Sequence, residues 1–144
     1  MRQILVLCIG NICRSPMAEQ LLARELPGQR VWSAGLSALV GEPADPLAVE
    51  VAQAHGLDLS AHRAQQFTAQ MCQSADLILV MERNQQSSVE KRHPYACGKV
   101  FRLGHIGNFE ITDPYRLPRP AFEAAYELIA RGVADWAPRI RKLG

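Results

Sequence analysis

The chain has 144 residues, of which 48% are hydrophobic and 21% charged, and its formal net charge is +2. This composition is typical of a soluble globular protein, the charge is too small to argue for nucleic acid or an anionic membrane as a partner, and no apolar run approaches the ~20 residues of a membrane span. We therefore expect one domain over residues 1–144, with no nucleic-acid partner and no membrane insertion.

Apolar runs and amphipathic stretches alternate along the chain, which indicates strands alternating with helices. Strands are predicted at 4–7, 30–34, 77–81 and 99–103. Helices are predicted at 16–26, 46–55, 68–73, 82–91 and from about 121 onwards. This alternation favours a parallel sheet covered on both faces. We predict an α/β fold with three α/β/α layers and a four-stranded parallel sheet.

The sequence also predicts two helix starts and one buried helix face. Ser15 is the expected N-cap of the first helix, with Pro16 at its first position, and Asp45 is the expected N-cap of the second. The last helix places its apolar residues at spacings of three and four, which predicts one buried face. That face consists of Phe122, Ala125, Tyr126, Ile129, Val133, Trp136 and Ile140.

A polar loop of the sequence Cys-Ile-Gly-Asn-Ile-Cys-Arg-Ser joins the first strand to the first helix. Unpaired N–H groups and the positive end of the helix dipole converge at such a junction, which suits it to bind an anion. Gly10 and Asn11 readily adopt the positive φ angles that turn N–H groups inward. We predict a phosphate-binding loop between the first strand and the first helix, formed by Ile9, Gly10, Asn11, Ile12, Cys13, Arg14 and Ser15.

Cys8 and Arg14 give this loop the chemistry of phosphoryl transfer. N–H donors, a guanidinium and a helix N-terminus around Cys8 favour its thiolate, the nucleophilic form. Arg14 offers a planar fork that matches two phosphate oxygens, and Ser15 can donate a hydrogen bond to the sulfur. Taken singly, a cysteine at the end of a strand is often a core residue and an arginine at a helix start is often only solvated. Together they favour a loop that binds an oxyanion and attacks it.

The segment Cys8–Pro16 resembles the signature of the low-molecular-weight protein tyrosine phosphatases. Other segments resemble the family in the same order, at 33–41, 44–46, 62–64, 75–82 and 113–115. The chain is similar above all to bacterial members that accompany capsule and exopolysaccharide synthesis. The resemblance implies a phosphatase without cofactor that hydrolyses phosphotyrosine through a cysteinyl-phosphate intermediate. It also implies that the substrate is a tyrosine autokinase of polysaccharide export, and we expect a monomer.

Such a reaction needs an acid to protonate the departing oxygen, and Asp113 is the best candidate. An aspartate before proline is often only a turn residue, but the resemblance implies that Asp113 protonates the leaving group and then activates water. It also implies that Tyr115 and Leu39 form opposite walls of the substrate cleft, although either could be an ordinary exposed residue. Where the family often has a second aromatic, this chain has Arg116, which leaves ring stacking on that side open and would favour acidic residues flanking the phosphotyrosine.

The resemblance further implies that Ser33 and His62 support the loop through Asn11, together with Ser15. By itself, His62 would be interpreted as a cap or a packing residue. Cys13 either captures an oxidised Cys8 as a disulfide or merely fills space in the loop.

The four cysteines of the chain are unevenly spaced. This spacing fits a reducing compartment, so we expect the cytoplasm. It matches no known metal-ligand pattern, so we expect no metal.

Two other functions remain open from the sequence. A thiol-dependent arsenate reductase has a similar fold and loop, but it needs two further closely spaced cysteines, whereas Cys72 and Cys97 are far apart. A binding module or phosphocysteine carrier would need the loop but no acid such as Asp113.

Overall fold

The computed structural model describes residues 1–143, and these form four strands and five helices. The strands are β1 (Gln3–Cys8), β2 (Arg30–Gly35), β3 (Leu77–Val80) and β4 (Val100–Arg102). The helices are α1 (Arg14–Glu25), α2 (Pro46–Ala54), α3 (Ala69–Ser74), α4 (Arg83–Arg92) and α5 (Arg119–Leu143). A 3₁₀ turn, Pro94–Ala96, lies between α4 and β4.

All strand pairs are parallel, and the order across the sheet is β2-β1-β3-β4. Alternate residues of β1 enter different core clusters: Ile4 and Val6 pack with residues of α1, α2 and α5, whereas Leu5 and Leu7 pack with residues of α3 and α4. Both faces of the sheet are therefore covered by helices, as expected for parallel strands. The predicted three-layer fold with a four-stranded parallel sheet is confirmed.

The connections reverse direction at β1, and this reversal positions the functional site. β2 lies on one side of β1 in the sheet, and the chain then crosses to β3 on the other side of β1. In open parallel sheets, ligands bind outside the carboxyl ends of the strands at such a switch point. Cys8 ends β1, and Glu82 comes two residues after the end of β3.

The predicted N-cap of α1 is wrong. The helix begins at Arg14, and Cys13 is the cap residue, without a side-chain cap bond. The hydroxyl of Ser15 is not available as a cap because it contacts Cys8 Sγ and Asn11 Nδ2. Arg14 and Ser15 therefore belong to the first turn of the helix, whose backbone holds them rigidly beneath the loop.

The predictions for α2 and α5 hold, with two shifted boundaries. α2 ends at Ala54, one residue before the expected end. Asp45 caps α2 by accepting a hydrogen bond from Leu47 N at 2.9 Å. α5 begins at Arg119, two residues before the expected start, and all seven residues of its predicted face are buried. None of the helices in residues 1–143 has both the length and the apolar character that crossing a membrane would require.

Candidate active site

A cavity of about 250 Å³ opens at the carboxyl end of β1. Three segments line it: the loop after β1, the loop after β2 and the segment before α5. The lining residues are Cys8, Ile9, Gly10, Ile12, Cys13, Arg14, Ser37, Leu39, Asp113, Tyr115 and Arg116. Residues 105 positions apart in sequence, Cys8 and Asp113, thus face one space.

The thiol of Cys8 lies at this cavity and contacts the first turn of α1. Its Sγ lies 2.9 Å from Ser15 Oγ. Asn11 Nδ2 donates to the same hydroxyl oxygen at 2.8 Å, and an amide nitrogen can only donate. The Ser15 hydroxyl hydrogen is therefore free to point at the sulfur, where it stabilises negative charge.

Asn11 anchors the loop from behind, because it is fully buried and does not line the cavity. Its φ is 60°, in the left-handed region that asparagine tolerates better than most residues. Nδ2 also donates to Ser33 Oγ at 3.0 Å, Oδ1 accepts from Gln65 N at 2.9 Å, and the carbonyl oxygen lies 2.6 Å from His62 Nε2. The structure thus brings Ser33 and His62 onto Asn11, where the family resemblance placed them.

Two further residues extend this network beyond what the sequence indicated. Ser33 Oγ donates to Glu19 Oε1 at 2.6 Å, which leaves its lone pairs to accept from Asn11. Gly35 at the end of β2 allows the loop to approach, since a Cβ there would lie 2.5 Å from the carbonyl oxygen of Ile9. No local signal marks Glu19 or Gly35, because both act on residues distant in sequence.

Arg14 is 1% exposed and is held on one side only. Its Nη1 donates to Glu82 Oε1 at 2.5 Å and to the carbonyl oxygen of Ile111 at 2.8 Å. Among residues 1–143, the buried Nε has no partner, and Nη2 has only Asp113 Oδ2 at 3.7 Å. Nε and Nη2 form one edge of the guanidinium, so a pair of parallel donors is left for an oxyanion.

The sequence interpretation missed Glu82 as a site residue. It follows β3, the neighbour of β1, at the same edge of the sheet. A charged residue directly after a buried strand was the available signal, since carboxyl ends of adjacent parallel strands converge. Its carboxylate orients Arg14 and compensates a charge that would otherwise be buried alone.

Asp113 lies across the cavity from the loop, and its side chain is 43% exposed. Oδ1 accepts a hydrogen bond from Tyr115 N at 3.1 Å, and Oδ2 faces Arg14. One carboxylate oxygen is thus fixed to the backbone while the other faces the oxyanion position. The carboxylate is also open to solvent.

Much of the cavity wall is apolar. Leu39 and Tyr115 are both exposed large hydrophobic residues, and they line the cavity from different segments of the chain. Ile9 and Ile12 add apolar surface beside them. A flat apolar group attached to the oxyanion fits this entrance.

Cys13 also lines the cavity and is buried. Burial raises the pKa of its thiol far above the usual range, and the nearby charges of Asp45, Cys8 and Asp113 raise it further. Cys13 is therefore a neutral thiol beside Cys8. The other cysteines lie elsewhere: Cys72 is buried in the cluster on the α3/α4 face, and Cys97 is exposed.

Within residues 1–143, no group of three or more His, Cys, Asp or Glu side chains is arranged to hold a metal ion. The cationic groups that line the cavity are the guanidinium groups of Arg14 and Arg116, and the thiol of Cys8 faces the same space.

Comparison with known proteins decides the family. The profile described as Low molecular weight phosphotyrosine protein phosphatase matches residues 3–143. The chain belongs to this family. The family predicted from Cys8–Pro16 is thereby confirmed, and with it the enzyme class, a protein-tyrosine phosphatase.

The relatives of this low-molecular-weight phosphatase are similar over nearly their whole length. A probable low molecular weight protein-tyrosine-phosphatase EpsP of Ralstonia nicotianae is 58% identical over 143 residues, 99% of each chain. Wzb of Vibrio vulnificus, solved in complex with benzylphosphonate, is 43% identical with a TM-score of 0.92, covering 96% of this chain and 98% of that one. The YwlE arginine phosphatase of Geobacillus stearothermophilus is 31% identical with a TM-score of 0.92, covering 99% and 94%.

Proposed function

We propose that the chain hydrolyses phosphotyrosine in proteins, with Cys8 as nucleophile, Arg14 as the phosphate ligand and Asp113 as general acid and base. The observation that carries the proposal is the free edge of Arg14. A guanidinium nitrogen buried without a partner is costly, and an oxyanion at this point would satisfy it between Cys8 and Asp113.

In the first step, the thiolate of Cys8 attacks phosphorus while Nε and Nη2 of Arg14 bind two of its oxygens. The S–P bond forms and the bond from phosphorus to the phenolic oxygen breaks. Asp113 gives its proton to that oxygen, so tyrosine leaves as the neutral phenol. Backbone N–H groups of residues 9–15 stabilise the charge that develops on the transferring group.

In the second step, water attacks the phosphocysteine. Asp113, now a carboxylate, takes a proton from the water as its oxygen bonds to phosphorus. The S–P bond breaks, inorganic phosphate leaves, and the Ser15 hydroxyl stabilises the departing thiolate. The cycle ends with Cys8 and Asp113 in their starting forms.

The cavity entrance favours an aryl phosphate. Leu39 and Tyr115 would pack on the two faces of a phenyl ring, which also holds its phosphate far from the substrate backbone. Phosphoserine has no such spacer, so its phosphate would not reach the loop. The benzylphosphonate bound by the Vibrio Wzb relative is likewise a phenyl ring carrying a phosphonate.

The arginine phosphatase among the structural neighbours makes phosphoarginine a necessary comparison. A phosphoarginine side chain is long enough to reach the loop, but its guanidino group needs acceptors along the cavity. Within residues 1–143, the only carboxylate that lines the cavity is that of Asp113, and Arg116 adds a cation that repels a guanidino group. This lining favours the neutral ring of tyrosine.

The physiological substrate we propose is an autophosphorylated bacterial tyrosine kinase of polysaccharide synthesis, in line with the family resemblance. We propose that the protein works in the cytoplasm, where reducing conditions preserve the Cys8 thiol. We also propose that it works as a monomer, since one chain supplies every residue named in the reaction.

The test is phosphate release, without added metal, from phosphotyrosine, phosphoserine and phosphoarginine peptides of matched sequence. We expect turnover of phosphotyrosine alone, none in C8S, and a fall of about 10²–10⁴-fold in D113N, the range of general acid–base catalysis. Circular dichroism confirms that each variant is folded.

Three results would contradict the proposal. Retained turnover in C8S would show that Cys8 is not the nucleophile. A preference for phosphoarginine would show that the substrate is not phosphotyrosine. A long-lived phosphocysteine in wild type would indicate a carrier. If no phosphopeptide is turned over, arsenate with a thiol reductant is the next substrate, although Cys72 and Cys97 do not line the cavity.

We propose in addition that Cys13 protects Cys8 from overoxidation. Hydrogen peroxide would convert the Cys8 thiolate to a neutral sulfenic acid, which removes the Cys8 charge that helps to raise the pKa of Cys13. The Cys13 sulfur would then attack the sulfenic sulfur, its proton would leave with the hydroxyl group as water, and the disulfide formed is one that dithiothreitol reduces. After peroxide treatment that takes an unprotected Cys8 on to the sulfinic acid, activity should return with dithiothreitol in wild type but not in C13S, because dithiothreitol reduces a disulfide and not a sulfinic acid. Equal recovery in both proteins would leave Cys13 as a packing residue.

A further inference from the structure

Arg116 adopts a backbone conformation that its side chain makes unfavourable. Its φ is 65°, and it is the third residue of a turn in which Leu117 N donates to Pro114 O at 2.9 Å. Glycine is the usual residue at such a position, because a Cβ is strained in the left-handed region. Strain of this kind persists where the surrounding structure imposes it, and it concentrates at functional sites.

The guanidinium of Arg116 has no charged partner within residues 1–143. It stacks on the ring of Tyr115, whose centre lies 5.2 Å from Cζ. Two other exposed arginines are engaged: Arg119 Nε donates to Glu123 at 3.1 Å, and Arg83 Nη2 donates to Asn108 at 3.1 Å. Stacking on Tyr115 therefore holds an otherwise uncompensated cation in place.

This cation stands at the mouth of the active-site cavity, where Tyr115 and Arg116 both contribute to the lining. On the other side of Leu39 and Tyr115 lies a second depression, which is lined by the acidic residues Glu42 and Asp45. The surroundings of the bound phosphotyrosine are therefore positive on one side and negative on the other.

We propose that Arg116 forms an anion subsite that binds a carboxylate or phosphate on a residue flanking the target phosphotyrosine. The inference deepens the proposed function and rests on it. Because Glu42 and Asp45 stand on the opposite side, an anion is favoured at one flank of the phosphotyrosine and not at both.

The expected preference follows from the exposure of Arg116. An exposed ion pair with a carboxylate corresponds to about a two- to fivefold gain in kcat/KM. A flanking phosphate group gains more, about tenfold, since the planar fork binds two of its oxygens at once. Both gains should shrink as salt is raised from 0.05 to about 0.5 M, because exposed charges are screened.

The experiment compares kcat/KM for phosphotyrosine peptides that differ at a single flanking position. That position, before or after the phosphotyrosine, carries alanine, glutamate, lysine or phosphonomethyl-phenylalanine, a phosphate-like group that cannot be hydrolysed. The readout is the ratio of kcat/KM for each peptide to kcat/KM for its alanine counterpart, so changes in basal turnover cancel. The glutamate peptide tests whether the bound anion is an acidic residue. The phosphonate peptide tests whether it is a second phosphotyrosine.

R116G is the main variant, because glycine suits the positive φ and keeps the turn while the guanidinium is removed. We expect its anion ratios to fall to about one, R116K to retain part of the preference, and R116E to prefer lysine at the same position. The matched control is R92A, which removes an exposed arginine at the C-terminal end of α4. α4 leads from the carboxyl end of β3 to the amino end of β4, so Arg92 lies away from the sheet edge that carries the cavity.

Several outcomes would overturn the subsite. A wild-type ratio of one at both flanks, an equal preference at both flanks, or the same loss in R92A as in R116G would each do so. Wild type that turns over no phosphotyrosine peptide at all would instead reject the proposed function, so the two failures are distinguishable.

Discussion

At the scale of single residues, Glu82 decides how Arg14 presents its free edge. Its carboxylate and the Ile111 carbonyl hold Nη1, so that Nε and Nη2 face the cavity. We predict that E82A lowers the free energy of unfolding by about 2 kcal/mol, because it leaves a buried charge unpaired. The loss is below that of a fully buried pair since Glu82 is 29% exposed.

The matched variant for this prediction is E82Q, which keeps an acceptor for Arg14 but removes the charge. We expect it to lose about half as much stability as E82A, and we expect KM for a phosphotyrosine peptide to rise more in E82A than in E82Q. Urea unfolding and steady-state kinetics measure the two effects. Unchanged KM in E82A would show that Ile111 alone suffices to orient the guanidinium.

At the scale of the elements, α5 packs so closely against the end of β4 that it needs glycine. A Cβ on Gly132 would lie 2.7 Å from Leu103 Cγ and 2.8 Å from the Leu103 carbonyl oxygen. Alanine favours a helix over glycine by about 1 kcal/mol, but the backbone carbonyl cannot yield as a flexible side chain would. We predict that G132A is net destabilising by about 1–2 kcal/mol, within the usual cost of overpacking.

Gly28 provides the control for this prediction. It lies between α1 and β2, no atom would lie within 4 Å of a Cβ there, and its φ is not positive. G28A should therefore be neutral or stabilise by up to about 1 kcal/mol, because it restricts the unfolded chain. Thermal unfolding of both variants checks the contrast, and a stabilised G132A would show that α5 shifts to make room.

Asp76 ties the start of β1 to the start of β3, and it makes this junction sensitive to acid. Its Oδ2 accepts hydrogen bonds from Arg2 N at 3.0 Å and Gln3 N at 2.9 Å. These bonds from the backbone of Gln3 and Arg2 hold the pKa of Asp76 below its usual value of 3.8. A lowered pKa in the folded state stabilises it above pH 3.8, and the gain is lost as pH falls further.

We therefore predict that wild type is more stable than D76N near pH 7. The difference should be constant down to about pH 5 and shrink as the pH falls through 4, where the carboxylate of the unfolded chain begins to protonate. Urea unfolding of both proteins between pH 3 and 7 measures this. A difference that stays constant to pH 3 would mean that Asp76 acts through its shape and not its charge.

The elements also show which parts of the structure the sequence could predict. The alternation of strands and helices, the buried face of α5 and the Asp45 cap rest on local patterns, and each is found in the structure. The start of α1 was wrong because Ser15, a residue with strong N-cap preference, uses its hydroxyl for Cys8 and Asn11 instead. A local preference gave way to a tertiary contact.

At the scale of the whole molecule, the site is assembled from ends of elements that are adjacent only in the folded chain. The motif Cys8–Pro16 was visible in the sequence, because all its parts lie in one loop. Glu82 and the contact of Arg116 with Tyr115 were not visible as such, since the first depends on the strand order and the second on a turn conformation. Sequence therefore locates the nucleophile, whereas the structure shows what orients its arginine and what surrounds its substrate.

This assembly predicts that an oxyanion stabilises the whole fold. Phosphate bound at the loop would use the free edge of Arg14 and so link β1, α1 and, through Glu82, the end of β3. A ligand at a hundred times its dissociation constant adds about 2.7 kcal/mol to stability, which corresponds to a rise in Tm of about 8 °C for a chain of this size. Differential scanning fluorimetry with inorganic phosphate measures the shift, with equal ionic strength of chloride as reference.

Two variants assign that shift to the site. C8S keeps the loop and Arg14, so its phosphate-dependent rise in Tm should persist. R14K keeps the positive charge but cannot offer two parallel donors, so most of the rise should disappear. If R14K responds to phosphate as wild type does, the anion binds elsewhere on this basic protein, and the buried edge of Arg14 is not the group that an oxyanion satisfies.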